Sequence, residues 1–555
     1  MKKYLGLVFI LISLGSCSQK MQQNATVVNS VQNPFIWSNA NIYFLLTDRF
    51  NNADTSNDTH FNRTKKTAKL RGFEGGDIKG VTAKIKDGYF TDLGINAIWL
   101  TPIVEQIHGD VNEGSGSTYG FHGYWAKDWT ALDPNYGTKE DLKILVETAH
   151  KNGIRIVLDG VINHTGPVTE ADEVWPQEWV RTNPQCTYRN YVSTVTCTLV
   201  KNLPDVKTES NEDVEIPASL AKKWKAEGRY DQEIKELDAF FKRTGYPRAP
   251  KYYIIKWLTD YINEFGIDGY RADTVKHTEA SVWAAFKTEC DFTFEQWKKN
   301  NPVKVLDNNP FYLVGEVYNY GIGAGQIFDF GDKKVNYFEN GFNSLINFEF
   351  KWNAAQNTYE GLFSRYSNIL NNQLKGFGTL NYISSHDDGS PFDKARTKPF
   401  ESATKLLLCP GASQVYYGDE SARPLIIDGA SGDANLRSNM NWDAIANNPE
   451  TNAILNHWQK LGKFRNNHLA VGAGIHKMIS KQPYIFQRTY SKDHYTDTVV
   501  VGLDLNKGEK ELNIGAIFKD GTILNDAYSK TQTTVRNGIV KLNTPYTLIL
   551  LEIKK

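Results

Sequence analysis

The chain runs to 555 residues, too long for one ordinary domain, so two or three folding units are expected. Lysine plus arginine and aspartate plus glutamate each number 63, and a net charge of zero leaves no electrostatic footprint for nucleic acid or anionic lipid. Hydrophobic residues make up 40% of the chain and aromatics 12%, enough for a substantial core with ring faces left over for a ligand.

The N-terminus reads MKKYLGLVFILISLGSCSQK: two lysines, an apolar run from Leu5 to Leu14, small residues, then Cys17. That is a secretory signal, too short for a membrane span. LGSC resembles a bacterial lipobox, which places a signal peptide over 1–16, a lipid on Cys17 and a polar tether over 17–34. An exported lipoprotein of the outer membrane follows, on its periplasmic or outer face and touching lipid only through the anchor. The alternative is an ordinary signal peptide with an incidental cysteine.

From Asn41 onward, eight short apolar runs read as strands: 41–46, 95–100, 154–161, 267–272, 311–317, 344–350, 379–385 and 413–418. Helical patterns lie between most of them, such as TKEDLKILVETAHKNG and PKYYIIKWLTDYINEFG, each closing on a C-cap glycine. Continuously apolar strands alternating with helices predict an α/β fold, a parallel sheet closed into a (β/α)8 TIM barrel over 35–164 and 249–469. The excursion over 165–248 is longer than a βα connection needs and reads as an inserted domain, with a charged helical tract expected to be solvated. After about 470 the pattern turns alternating and turn-rich, predicting a small antiparallel β domain to 555. Cys186 and Cys197 lie close enough for a disulfide that export would permit, left open here, while Cys290 and Cys409 read as buried thiols. GIGAGQ at Gly321 lacks GK[ST] and the dinucleotide spacing and reads as a loop.

In such a barrel the C-terminal strand ends carry chemistry. Strand three ends in Asp159, Asn163 and His164; strand four in Arg271, Asp273, Lys276 and His277; strand five in Glu316; strand seven in Ser385, His386, Asp387 and Asp388. Carboxylates crowded into a partly dry site push their pKa values apart, so one stays protonated while another is ionised, as cleavage of an acetal requires. Arg271 precedes Asp273 by two residues and so shares its face, placed to hold that carboxylate ionised.

Together these segments, collinear from about Asn41 to Glu420, resemble the conserved regions of the α-amylase family of glycoside hydrolases. The resemblance implies a barrel with a B domain after strand three and a C-terminal β-sandwich. By position it implies Asp273 as nucleophile, Glu316 as general acid/base and Asp387 as the carboxylate that binds sugar hydroxyls. Arg271, His164 and His386 match residues around the cleavage subsite. FHGYWAKDW is similar to the family's YHGYW segment, which implies substrate contacts for His122, Tyr124 and Trp125, while Lys276 would reach toward the leaving-group side.

Calcium is implied in the same way, held by Asn163, Asp205 and the carbonyl of His277. TDRFNNADTSND followed by EGGD resembles an extra calcium loop of some family members, with Asn52, Asp54, Asn57, Asp58, Asp77 and the Gly75 carbonyl as ligands. Plain turn chemistry is the other reading of that loop. Ser385, where the family usually has asparagine, argues against chloride dependence. Retaining cleavage inside α-1,4-glucan chains such as starch, glycogen or maltooligosaccharides by a monomeric enzyme is expected. A maltogenic or transglycosylating enzyme is the alternative, and a non-catalytic starch-binding lipoprotein is disfavoured by the intact carboxylates.

Overall fold

The computed structural model describes residues 34–554, so the expected signal peptide, the expected lipid site at Cys17 and nearly all of the expected tether lie outside the described residues. Eight parallel strands close a barrel: β1 (Asn41–Leu45), β2 (Ala97–Leu100), β3 (Arg155–Gly160), β4 (Gly269–Ala272), β5 (Tyr312–Gly315), β6 (Ser344–Asn347), β7 (Gly378–Tyr382) and β8 (Ala412–Tyr416). β1 seals against β8 with Asn41 opposite Ser413 and Phe44 opposite Tyr416. Every one is buried along its length, which is why each reads in the sequence as an apolar run rather than an alternation. All eight predicted strands are present, with ends shifted by up to three residues.

The chain enters beneath the barrel. Trp37 stacks on Tyr312 at 3.9 Å and the Arg155 guanidinium lies 3.8 Å over Phe35, and those two partners begin β5 and β3. Before β3, helix α1 (Lys139–Lys151) is started by a capping box in which Thr138 and Asp141 bond each other's backbone N–H groups.

The excursion after β3 pairs two short strands, Val180–Arg181 with Asp205–Val206, and carries a Cys186–Cys197 disulfide. The charged tract forms two helices, α2 (Ala218–Ala226) and α3 (Tyr230–Thr244), parted at Gly228 (φ 72°). Each is solvated on one side and buries the other through Trp224 or through Leu237, Phe240 and Phe241. Trp175, Trp179 and Trp224 join Trp129 and Trp257 in one buried cluster that seats this segment on the barrel. Helix α4 (Pro250–Phe265) opens on proline and stops at Gly266 (φ 71°), where a Cβ would meet the Trp297 ring at 2.1 Å.

GIGAGQ contains a 3-10 turn (Ile322–Ala324) and leads into an antiparallel hairpin, Ile327–Asp329 with Lys334–Asn336, that the sequence pattern did not announce. The C-terminal region holds β9 (Ile475–Ser480), β10 (Tyr484–Lys492), β11 (Tyr495–Leu503), β12 (Gly508–Asn513), β13 (Ile523–Asp526), β14 (Thr531–Thr534), β15 (Ile539–Thr544) and β16 (Ile549–Ile553). A six-stranded sheet, β9-β10-β11-β16-β13-β14, packs over the β12-β15 ribbon around Ile485, Val500, Leu512, Val540 and Leu551. His468 joins it to the barrel, with Nδ1 2.8 Å from Asp497 on β11 and Nε2 2.6 Å from Glu552 on β16. Cys290 and Cys409 are buried thiols.

Candidate active site

The register β3-β4-β5 sets Arg271 beside Asp159 on one neighbour and Val314 on the other. The buried Arg271 guanidinium then reaches three carboxylates: Nη1 lies 2.6 Å from Asp273 and 2.8 Å from Asp159, and Nη2 lies 3.0 Å from Glu316. One cation does not balance three buried anions. Burial pushes Glu316 up to about 8 against the pull of Arg271, with Asp273 and Asp387 reinforcing the rise. Burial likewise raises Asp159 to about 7, opposed by Arg271 and reinforced by Asp273.

Thr274, next after Asp273, has φ 46° and ψ 40°, a left-handed conformation that a β-branched residue rarely adopts. Its N–H donates to Glu316 Oε2 at 2.9 Å, so the strained turn after β4 orients the carboxyl at the end of β5.

Asp387 stands at the lip of the mouth, its side chain 39% exposed, within 3.8 Å of His386 Nδ1. His386 is buried, stacked on Tyr124 at 5.2 Å and meeting the edge of Phe44, while its carbonyl accepts from Arg437 Nε at 2.9 Å. Burial and then Arg437 hold His386 and His122 well below the usual imidazole range, and burial lowers His164. All three rings are therefore neutral near pH 7. His122 Nδ1 accepts from the Tyr124 N–H at 3.1 Å, which leaves the proton on Nε2; His164 Nε2 donates to the Tyr124 carbonyl at 3.1 Å. Neutral imidazoles and a phenol around one pit provide paired donors and acceptors for hydroxyl groups. The Lys276 ammonium is half-buried beside Glu316, 4.9 Å over the Tyr318 ring, and burial lowers its pKa.

Of the residues the sequence singled out for catalysis and substrate, the fold brings Asp273, Glu316, Asp387, Arg271, His122, Tyr124, His164, His386 and Lys276 to this mouth. Trp125 stands behind His122. It is 7% exposed, in a small cluster with Ile107 and Leu203, and its ring meets that of His122 edge-on at 4.7 Å.

Two residues at the site carried no role in the sequence reading. Asp159 accepts from Trp99 Nε1 at 3.1 Å and from Tyr124 Oη at 2.8 Å while bonding Arg271. Its inward position, level with Arg271, was the available signal. Arg437 comes from a 3-10 turn far beyond β8 and carries no local motif.

Among the described residues no cluster of three or more His, Cys, Asp or Glu is placed to hold a metal. The Asn163, Asp205 and His277 set has one carboxylate and is of another kind. Asp205 is 1% exposed; its Oδ1 receives no hydrogen bond and its Oδ2 meets only Arg181 Nε at 2.8 Å. Asn163 Oδ1 receives only a long 3.4 Å bond from Thr278. Burial pushes Asp205 up to about 9 despite Arg181. Under-satisfied hard oxygens around a buried carboxylate fit a calcium ion.

The second loop fits less well. Asn52 donates to Asp58 at 2.8 Å, and a Cβ on Gly75 would strike both side chains, so these residues do converge; Asn57 Oδ1 is buried without a partner. But Asp54 pairs with Lys79 at 2.5 Å, and Asp77 accepts from Ala53, Asp54 and Gly80 N–H groups as a helix N-cap. Those two carboxylates already have partners that turn chemistry supplies.

A parallel barrel whose strand ends gather an arginine, carboxylates and neutral imidazoles is the architecture of a glycoside-processing enzyme. The family model "Alpha amylase, catalytic domain" matches residues 44–447. The periplasmic alpha-amylase of Escherichia coli strain K12 is 35% identical over 518 residues, spanning 83% of this chain and 72% of that protein. The cyclomaltodextrin glucanotransferase of Thermoanaerobacterium thermosulfurigenes is 26% identical, spanning 89% of this chain and 64% of its own length. Among solved structures, the Geobacillus thermoleovorans alpha-amylase complexed with acarbose shares the fold with a TM-score of 0.65 at 22% identity, covering 94% of this chain and 100% of that one. The chain belongs to the alpha-amylase family. It is accordingly an enzyme of glycoside hydrolysis or glycosyl transfer.

Proposed function

We propose that the protein is a retaining α-amylase that cleaves internal α-1,4 bonds of starch, glycogen or maltooligosaccharides. The observation that supports this most is the single Arg271 guanidinium bridging Asp273 and Glu316. A carboxyl pair held side by side suits the shorter separation, about 5–5.5 Å, of retaining glycosidases. Glu316, protonated at neutral pH, gives its proton to the glycosidic oxygen as Asp273 attacks the anomeric carbon; the C1–O bond breaks and a C1–carboxylate ester forms. Glu316, now ionised, takes a proton from an incoming water whose oxygen attacks C1 and releases Asp273. Asp387, His386, His164, His122 and Tyr124 hold the sugar hydroxyls, and Arg271 orients Asp273.

Calcium would sit among Asn163, Asp205 and the His277 carbonyl, neutralising Asp205 and tying the ends of β3 and β4 to the inserted domain. We assign domain A to 35–164 and 249–469, domain B to 165–248 and domain C to 470–555. Similarity to a periplasmic relative supports export, and anchoring through Cys17 is part of the same proposal.

A product time course on amylose tests this reading. Mid-length oligosaccharides released early as α-anomers support it. Products longer than the substrate would favour the second reading, a transglycosylase, which the glucanotransferase relative keeps in view. Asp273→Asn should lose at least about a thousandfold in kcat while keeping maltooligosaccharide affinity; near-normal turnover would overturn its role.

A further inference from the structure

Arg271 bonds Asp273 and Glu316 directly. Asp387 is held differently: among the described residues its nearest side-chain partners are Ser385 Oγ at 3.5 Å and His386 Nδ1 at 3.8 Å. Neither contact is short enough to aim a carboxylate. Its direction therefore depends on the backbone, which is gripped on both sides. Before Asp387, the His386 carbonyl accepts from Arg437. After it stands Asp388, a carboxylate for which the chemistry above has no use.

Asp388 is tied to three elements at once. Its Oδ2 accepts from Tyr382 Oη at 2.6 Å and pairs with the Lys351 ammonium, and its Oδ1 accepts from the Ser390 N–H at 3.0 Å. Tyr382 is the last residue of β7, and Lys351 belongs to the helix Phe350–Gln356 that follows β6. Lys351 is 7% exposed and Tyr382 1%, so both partners are fixed in the barrel wall. Among the described residues Asp388 is also the only carboxylate within ion-pair distance of Lys351. Charge attraction is strong where water is excluded, and removing one partner leaves the other buried and uncompensated. The bond from Ser390 closes a tight turn directly after this anchor. A residue so fixed leaves its chain neighbour, Asp387, little freedom to swing.

We propose that Asp388 is a positioning residue: pinned by Lys351 and Tyr382, it fixes the turn after β7 and thereby aims Asp387 at the hydroxyls of the sugar being cleaved. The inference rests on the role given to Asp387 above.

The test measures kcat and KM on α-maltotriosyl fluoride, whose good leaving group keeps weak variants measurable. Asp388→Asn, Lys351→Met, Lys351→Arg and Tyr382→Phe are each made in the wild type and in Asp387→Asn. In the wild type, Asp388→Asn and Lys351→Met should each lower kcat about ten- to fiftyfold with KM changed less than about threefold. Lys351→Arg should keep most of the activity, and Tyr382→Phe, which removes one hydroxyl and keeps the ring, should cost about threefold. In the Asp387→Asn background the same changes should cost less than about twofold, because the carboxylate they aim is gone. An ion pair that only braced the barrel would lower kcat by one factor in both backgrounds. That result, or an unchanged kcat in the wild type, overturns the proposal and leaves the amylase reading intact. If Asp388→Asn does not fold, Tyr382→Phe carries the comparison by itself. Failure of the wild type to cleave any α-glucan overturns that reading and this one together.

Discussion

The Tyr124 phenol donates to Asp159 Oδ2 at 2.8 Å, so a carboxylate on β3 holds the ring that stacks on His386. Asp159 also accepts from Trp99 and from Arg271, and thereby links the substrate-facing ring to the cation shared by Asp273 and Glu316.

Asp159→Asn should therefore impair catalysis without touching the reacting atoms. Misplacing Arg271 and Tyr124 is expected to lower kcat about ten- to a hundredfold, with KM changed less than about threefold. Steady-state kinetics beside an unchanged circular dichroism spectrum check this. A wild-type kcat would remove Asp159 from any positioning role.

Glu316 sets a pH dependence. Its folded pKa of about 8 lies above the ordinary 4.5, so the folded chain holds a proton that the unfolded chain releases between those values. Stability from this group is complete below pH 4.5 and declines as pH rises to about 8, and activity that needs the protonated acid falls through the same upper value. Glu316→Gln should abolish most hydrolysis yet melt higher than wild type above pH 8, with little difference at pH 4.5. An alkaline limb near pH 5, or a lower melting temperature at pH 8.5, would contradict the assignment.

His468 gives the opposite case. Burial pulls its pKa down, but Asp497 and Glu552 outweigh this and raise it above 6.5. Its contribution is full below 6.5 and is lost as pH rises through the higher folded value. His468→Gln should thus cost several degrees of melting temperature at pH 6 and much less at pH 9. A gap that is constant across that range would show packing, not charge, at the barrel–sheet joint.

Chelation addresses the under-satisfied oxygens of Asp205 and Asn163. Calcium at a thousand times its Kd would stabilise the fold by about 4 kcal/mol, so excess chelator should lower the wild-type transition. Asp205→Asn should melt at nearly one temperature with or without calcium. A wild-type transition indifferent to chelator would argue against a resident cation.

Much of this was legible because barrel strands are buried on both sides: NIYFL and IVLDG are apolar runs whatever their context, and their ends are fixed to one face by the closed sheet. Arg271 and Asp273 could be paired from their two-residue spacing alone. Contacts that depend on long-range packing were not. Arg437 reaches His386 from 51 residues away, and the Ile327–Asn336 hairpin has no alternating pattern. In the loop after β1, Asn and Asp at ligand-like spacing serve equally as caps, and only the Asp77 bonds to Gly80 and Ala53 distinguish the two uses.

The stacking of Trp37 on Tyr312 and of Arg155 over Phe35 fixes where the first described segment packs. Both pairs lie under the starts of β5 and β3, whereas Asp273 and Glu316 lie past the ends of β4 and β5. The rings that open the described chain therefore brace the barrel on the face opposite the cleft, so losing either should show in the melting temperature and leave the catalytic constants unmoved.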